Sequence, residues 1–259
     1  MAIITLTTDL GDKDIYLAAL KGSIFKLLPT VNIVDITNSV AAFNIQQAAF
    51  ILKNSFYYFP DDTVHLIGID TVYSDQTKYL AVRYKNHYFV GADNGIFSLM
   101  FTEEPEEMFE INIMQDLKFL HFPLADIFVK AACHLASGKH INQIGLPVSG
   151  IEKKMNLQPV IEKNLIKGMV IYIDSFQNVI TNITKDLFNQ IQQGRQFVLT
   201  FKRNESINHL SWHYSEVPEG EKLCLFGISD HLEIAINKGN ASGLLGLNLG
   251  DSVIIDFQA

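Results

Sequence analysis

Ile3-Ile4-Thr5-Leu6-Thr7-Thr8-Asp9-Leu10-Gly11-Asp12-Lys13-Asp14 opens the chain and sets its architecture. Ile3 to Thr7 reads as a short buried strand. Ile15 to Leu28 reads as a helix with Leu17, Leu20, Ile24, Leu27 and Leu28 on one face. Between them lie a carboxylate and a glycine turn. A strand that ends in Asp, turns on Gly and enters a helix is where open α/β sheets hold their ligands. Asp9 is therefore the first candidate for a binding residue.

Outward from this unit, strand and helix alternate. Val31 to Ile36 predicts a strand after the break at Pro29, and Phe43 to Phe56 has helical periodicity that stops before Pro60. Thr63 to Ile69 predicts a strand ending in Asp70. Tyr79 to Tyr84 and His87 to Val90 predict a hairpin whose second arm runs into Gly91-Ala92-Asp93-Asn94-Gly95. A helix from Ala125 to Ser137 would stop on Gly138 as its C′ residue. Such alternation implies a doubly wound, mostly parallel sheet with helices on its faces. Strands running the same way would line Asp9, Asp70 and Asp93 along one sheet edge. Each of the three could also be an ordinary turn or N-cap residue; their recurrence at strand ends is what points to a site.

From Gly138 to Leu165 the pattern loosens and reads as a linker. Met169–Ile173, Gln196–Phe201, Lys222–Phe226, Leu232–Ile236 and Ser252–Phe257 then read as short strands between Gly, Asn and Asp turns, with one helix from Thr184 to Gln193. That grammar predicts a small β-barrel or sandwich. The expected fold is α/β, with an N-terminal α/β domain over 1–150 and a smaller C-terminal β-barrel-like domain over 165–259.

Of the 259 residues, 48% are hydrophobic and 19% charged, enough for a substantial core. A formal net charge of −8 argues against nucleic acid or an anionic membrane as partner, since both are held by clustered Lys and Arg. Cys133 and Cys224 lie far apart, without CxxC or Cys/His spacing, as expected of buried thiols in a reducing compartment. With no signal-like leader and no apolar run of spanning length, a cytoplasmic protein is expected.

Several stretches together resemble the family of S-adenosylmethionine (SAM) hydroxide adenosyltransferases and the related SAM-dependent fluorinases and chlorinases. They are Thr8-Asp9-Leu10-Gly11 with Asp14 and Lys21-Gly22; Val34-Asp35-Ile36-Thr37 leading to Phe43; Gly91-Ala92-Asp93-Asn94-Gly95; Asp126-Ile127-Phe128; Asp174-Ser175-Phe176-Gln177-Asn178 with Thr181-Asn182-Ile183; and Leu232-Glu233-Ile234-Ala235 with Asn237 and Gly239. No one of them is specific, but their order and spacing span nearly the whole chain. The resemblance implies a homotrimer in which SAM sits between the N-terminal domain of one subunit and the C-terminal domain of the next. It implies attack of hydroxide or halide at the ribose C5′ with methionine expelled. No metal or other cofactor is expected; SAM would be substrate or ligand.

Residue by residue, the resemblance gives Asp9 the two ribose hydroxyls, which suits a carboxylate with two acceptor oxygens. It places Phe43 beside the sulfonium, where an aromatic face attracts a cation; a core residue at a helix start is the other reading. Asp93 and Asn94 fall in a shared binding stretch. Asp174 would take the methionine ammonium, Phe176 stack on adenine, and Asn178 hydrogen-bond the base edge. Tyr214 lies where another adenine-facing aromatic occurs, or is a core residue.

The catalytic residues match less well. The hydroxide-transferring members use an Asp, an Arg and a His. Asp70 fits the Asp, but Thr77 stands at the Arg position beside Lys78, and Pro123 stands at the His position with His121 two residues before it. Gly227-Ile228 replaces an Asn-Ser pair that contacts the methionine end. Either Lys78 and His121 act as displaced helpers, or the chain binds SAM or adenosine without turning it over. A different class of reading is a divalent-metal hydrolase using Asp9, Asp14, Asp70, Asp93 and His65. A dinucleotide enzyme would need GxGxxG after the first strand, where only Gly11 is present. No Ser-His-Asp or Cys-His motif supports a nucleophilic hydrolase, and an interaction protein is the remaining alternative.

Overall fold

The computed structural model describes residues 2–72, 77–202 and 205–258. The chain divides into two compact units, Met1–Met155 and Asn156–Ala259.

The N-terminal unit is built on a seven-stranded sheet: β1 (Ile3–Thr8), β2 (Asn32–Thr37), β3 (Val64–Gly68), β4 (Tyr79–Tyr84), β5 (His87–Ala92), β6 (Glu107–Ile111) and β7 (Gly145–Pro147), in the order β2-β1-β3-β5-β4-β6-β7. The four strands β2, β1, β3 and β5 are parallel neighbours, whereas β4, β6 and β7 pair antiparallel. Its helices are α1 (Ile15–Leu27), α2 (Ile45–Lys53), α3 (Ile96–Met100) and α4 (Ile127–Ala136). On one face α1 and α4 pack Leu20, Ile24, Phe128 and Ala132 against Ile4, Leu6, Val64 and Leu66. On the other, α2 and α3 pack Ala48, Leu52 and Phe97 against Ile67, Ile69, Val82 and Phe89. Covering both faces is why these strands read as near-continuous apolar runs.

The chain departs from the expected elements in physically readable ways. Leu27 is exposed; Leu20 and Ile24 are the buried residues of α1, and Leu17 and Leu28 are only partly covered. Helix α2 begins at Ile45 because Phe43 sits at φ +62°, outside the helical region, and the Asn44 side chain caps the backbone N–H of Gln47 at 3.0 Å. The expected linker is partly sheet. Gly145 pairs with Ile111, and a Cβ there would lie 1.7 Å from the Glu110 carbonyl oxygen, so only glycine allows this approach. The sequence also gave no sign of β6, a strand of charged and apolar residues on the antiparallel half of the sheet.

The C-terminal unit contains β8 (Val160–Glu162), β9 (Leu165–Ile173), β10 (Val179–Thr184), α5 (Lys185–Gln192), β11 (Phe197–Thr200), β12 (Ser206–Ile207), β13 (Lys222–Phe226), β14 (His231–Ile236), α6 (Ala241–Leu245) and β15 (Ser252–Phe257). The sheet runs β12-β11-β15-β9-β10-β14-β13, antiparallel throughout, with β8 on β9. Its end strands β12 and β13 lie against each other, and Lys222 pairs with Glu205 across the seam. The sheet is thus a nearly closed barrel around Ile166, Val179, Leu199, Cys224, Ile234 and Ile255, all buried. Near-closure hides the edges an open sheet would expose.

Candidate functional site

In the N-terminal unit, β1 leads through α1 to β2 on one side, and β3 lies on the other side of β1. The crevice beyond the carboxyl ends of β1 and β3 is therefore the topological switch point, where doubly wound sheets bind ligands. Asp9 follows β1, Asp70 follows β3 and Asp93 follows β5, so the three carboxylates do lie along one sheet edge.

The turn after β1 is fixed by the turn after β2. The Thr8 hydroxyl donates to Asn38 Oδ1 at 2.8 Å, and the Gly11 N–H donates to the Asn38 carbonyl at 2.7 Å, with Gly11 at φ +68°. This leaves Asp9 half-buried at the rim, its Oδ2 accepting the Phe43 N–H at 2.9 Å. Phe43 is held in its left-handed conformation by that contact, and its ring is exposed. Asp9 and Phe43, 34 residues apart, are thus directly joined. Asn38, which sequence reasoning did not single out, is the second support of this corner; a polar residue just past a strand carries no more specific signal.

Asp70 is exposed and also left-handed, at φ +47°. Its backbone is gripped by Asn94, whose Nδ2 donates to the carbonyls of Ile69 at 3.0 Å and Asp70 at 3.3 Å. Asn94 therefore shapes the Asp70 turn. Asp93 is turned to the chain as well: its Oδ1 accepts the Glu152 N–H at 2.9 Å. Burial holds the Asp93 carboxyl above its ordinary range, against the pull of that hydrogen bond. Lys78 forms an ion pair with Glu110 at 3.1 Å, His121 is exposed, and Pro123 is buried. Thr77 is half-buried, and Tyr73 to Gln76 of the loop before it lie outside the described residues.

The metal-hydrolase reading loses its imidazole. His65 lies inside the sheet, bonded to the Thr5 hydroxyl at 2.7 Å and to His87 at 3.2 Å, and stacked on Phe89. Among the described residues no three His, Cys, Asp or Glu side chains form a metal-holding group. Both thiols are buried, which pushes Cys133 up to about 11 and Cys224 up to about 12, away from nucleophilic use. A cavity of about 540 Å³ opens at the opposite sheet edge, between Asp61, Asp62, Arg83, Tyr88 and Lys139. Its guanidinium is already bonded to Tyr88 at 3.1 Å and lies 3.8 Å from Asp62, and none of the residues expected to bind ligand lines it.

In the C-terminal unit, Asp174 closes the tight turn between β9 and β10. Its Oδ1 accepts the Asn178 N–H at 2.8 Å and its Oδ2 accepts Asn178 Nδ2 at 3.1 Å. Asn178 is buried, whereas Phe176 at the tip is 80% exposed. Nearby, the Tyr214 hydroxyl donates to Glu233 Oε1 at 2.6 Å. Burial, that hydrogen bond and the charges of Glu233 and Asp174 hold the Tyr214 phenol above its usual range. Burial raises the Glu233 carboxyl; the bond from Tyr214 opposes this and the Asp174 charge adds to it. Glu233 was legible only as part of a shared stretch, although a Glu at a buried position of an apolar strand is itself a signal. Ile228, in the turn between β13 and β14, is exposed.

The chain matches the SAM hydroxide adenosyltransferase N-terminal domain over residues 4–145 and the C-terminal domain of the same family over residues 168–254. It belongs to the SAM hydroxide adenosyltransferase family. An (R)-S-adenosyl-L-methionine hydrolase of Methanocaldococcus jannaschii is 30% identical, with 98% of this chain and 96% of that protein covered. One of Thermus thermophilus is 26% identical over 94% of this chain and 95% of its own. The solved structure of an uncharacterized conserved protein from Thermotoga maritima superposes with a TM-score of 0.88 at 30% identity, covering 98% of this chain and 99% of that one. Membership accounts for the order of the matching stretches, which fall in both domains of the family.

Proposed function

We propose that the protein binds SAM and hydrolyses it to adenosine and L-methionine, water attacking the ribose C5′. The reading is carried by Asp9, a carboxylate at the switch point of a chain whose relatives are named SAM hydrolases over nearly their full length. Among the described residues Asp9 makes one side-chain hydrogen bond, through Oδ2, which leaves Oδ1 for a ribose hydroxyl. In the reaction a water oxygen forms a bond to C5′ while the C5′–S bond breaks. Its electron pair leaves with sulfur as the neutral thioether of methionine. The departing group needs no proton; only the water must lose one. Asp70, set at the rim by Asn94, is the group we assign to orient that water and receive the proton. Phe43 would face the sulfonium. Asp174 would take the methionine ammonium, with Asn178 and Phe176 at the adenine. Assembly as a homotrimer, with the ligand held by groups from two subunits, is part of the proposal. It is supported by the exposure of Phe43 and Phe176, rings that a partner surface or ligand would cover.

A second reading is that the chain binds SAM or adenosine without turning it over. It is favoured by the pairing of Lys78 with Glu110 and by a buried Pro123, which can neither give nor accept a proton through its side chain. Incubation with SAM and chromatographic detection of adenosine decides between them. Adenosine formed in proportion to enzyme supports hydrolysis. SAM binding by calorimetry without adenosine at high enzyme concentration selects the binding reading, and absence of both overturns the proposal.

A further inference from the structure

Glu233 poses a question that the fold does not answer. It sits on β14, paired across the sheet with Ile180 of β10 and Leu225 of β13, and it is buried. Its strand neighbours Leu232, Ile234 and Ala235 are apolar and buried. A side chain needed only to fill this position would be apolar, because withdrawing a carboxylate from water carries a desolvation cost that an apolar side chain avoids. The surroundings are nevertheless shaped to admit it. A Cβ on residue 227 would meet Glu233 Oε2 at 2.6 Å, so Gly227 leaves the room the carboxylate occupies. The other oxygen takes the Tyr214 hydroxyl at 2.6 Å.

Tyr214 lies in a short helical turn, Tyr214–Glu216, outside the barrel strands. The phenol bond is thus a tether from a rigid strand to a ring on a connecting segment, and the ring remains 42% exposed. Asp174, whose turn carries the exposed Phe176, lies near enough for its charge to act on both Tyr214 and Glu233. We propose that Glu233 is a positioning residue: it fixes the Tyr214 ring beside the Asp174–Asn178 turn, so that adenine meets a pre-oriented aromatic face. This rests on the nucleoside-binding reading above, extends it to the Tyr214 ring, and adds to it the residue that sets that ring. An aromatic ring fixed before binding loses little freedom on contact, so the effect falls on affinity for the base.

The test is adenosine binding by calorimetry with the full chain, in wild type, Glu233→Gln, Glu233→Ala, Tyr214→Phe and the Tyr214→Phe/Glu233→Ala double variant. Gln keeps an acceptor for the phenol and is expected to bind within about threefold of wild type. Glu233→Ala and Tyr214→Phe each break the tether and are expected to weaken binding about tenfold, in line with one lost hydrogen bond. The double variant is expected to bind no worse than the weaker single, because both changes remove one interaction. Tyr214→Phe keeps the ring and the volume, so it decides the matter even where Glu233→Ala does not fold. Wild-type affinity in Tyr214→Phe, or losses that add in the double variant, overturns the inference. Failure of wild type itself to bind adenosine overturns the nucleoside reading and this inference with it; unchanged variants beside a binding wild type overturn this inference alone.

Discussion

Lowering the pH from 8 to 5 is expected to destabilise the N-terminal unit through a histidine far from the proposed chemistry. His65 lies on the central strand β3, fully buried between Phe56, Phe59 and Phe89. Burial, with the neighbouring His87, lowers its pKa from 6.5 to about 3. The folded protein therefore keeps His65 neutral across the whole range, while the unfolded chain takes up a proton as pH falls through 6.5. Stability is full above that value and is lost progressively down to about pH 3. At pH 5 the unfolded chain holds nearly one more proton at this site, which integrates to about 2 kcal/mol lost relative to pH 8. His87 is lowered by burial too, against the charges of Asp61 and Asp62, and acts in the same direction. Urea unfolding followed by helical circular dichroism at pH 8 and pH 5 measures the total loss. The control is Thr5→Val/His65→Phe, which replaces both partners of the 2.7 Å bond by apolar groups of similar shape. Its loss between the two pH values should be smaller than that of wild type by about 2 kcal/mol. Equal losses in the two proteins would refute the assignment of a neutral His65 to the folded state.

Asp9→Ala should reduce adenosine affinity about 100-fold, the scale of one or two charge-assisted hydrogen bonds, with the fold retained; calorimetry showing wild-type affinity would remove the ribose anchor. Asn94→Ala frees the Ile69 and Asp70 carbonyls and should cost about 1–3 kcal/mol of stability, read as a lower urea midpoint. Gly68→Ala would set a Cβ 2.4 Å from the fully buried Leu124 Cδ2 and 3.1 Å from Thr8 Cγ2, and should cost about 1–3 kcal/mol by overpacking beneath the site. A Gly68→Ala protein as stable as wild type would show that this corner has slack.

The sequence alone determined the elements whose signal is local. Apolar runs ended by Asp or Gly marked β1, β3 and β5, because a strand covered on both faces has no polar phase. The change from strand–helix alternation to short strands between turns marked the barrel-like second unit. The order of the family's stretches determined the kinship. The tertiary structure decided what each polar group is committed to, because hydrogen-bond partners distant in sequence leave no periodic trace. Asp93 and Asn94 sit side by side in one shared stretch, yet their side chains go to Glu152 and to the carbonyls of Ile69 and Asp70. His65 could stand on paper as a metal ligand with Asp9 and Asp70; the pleat turns it inward to Thr5 and His87 instead. Asp9 was legible as a strand-end carboxylate, but its contact with Phe43 required β1 and the start of α2 to meet across the switch point. Glu233 was the reverse case, a charged residue in an apolar strand whose purpose appears only when Tyr214 folds over it.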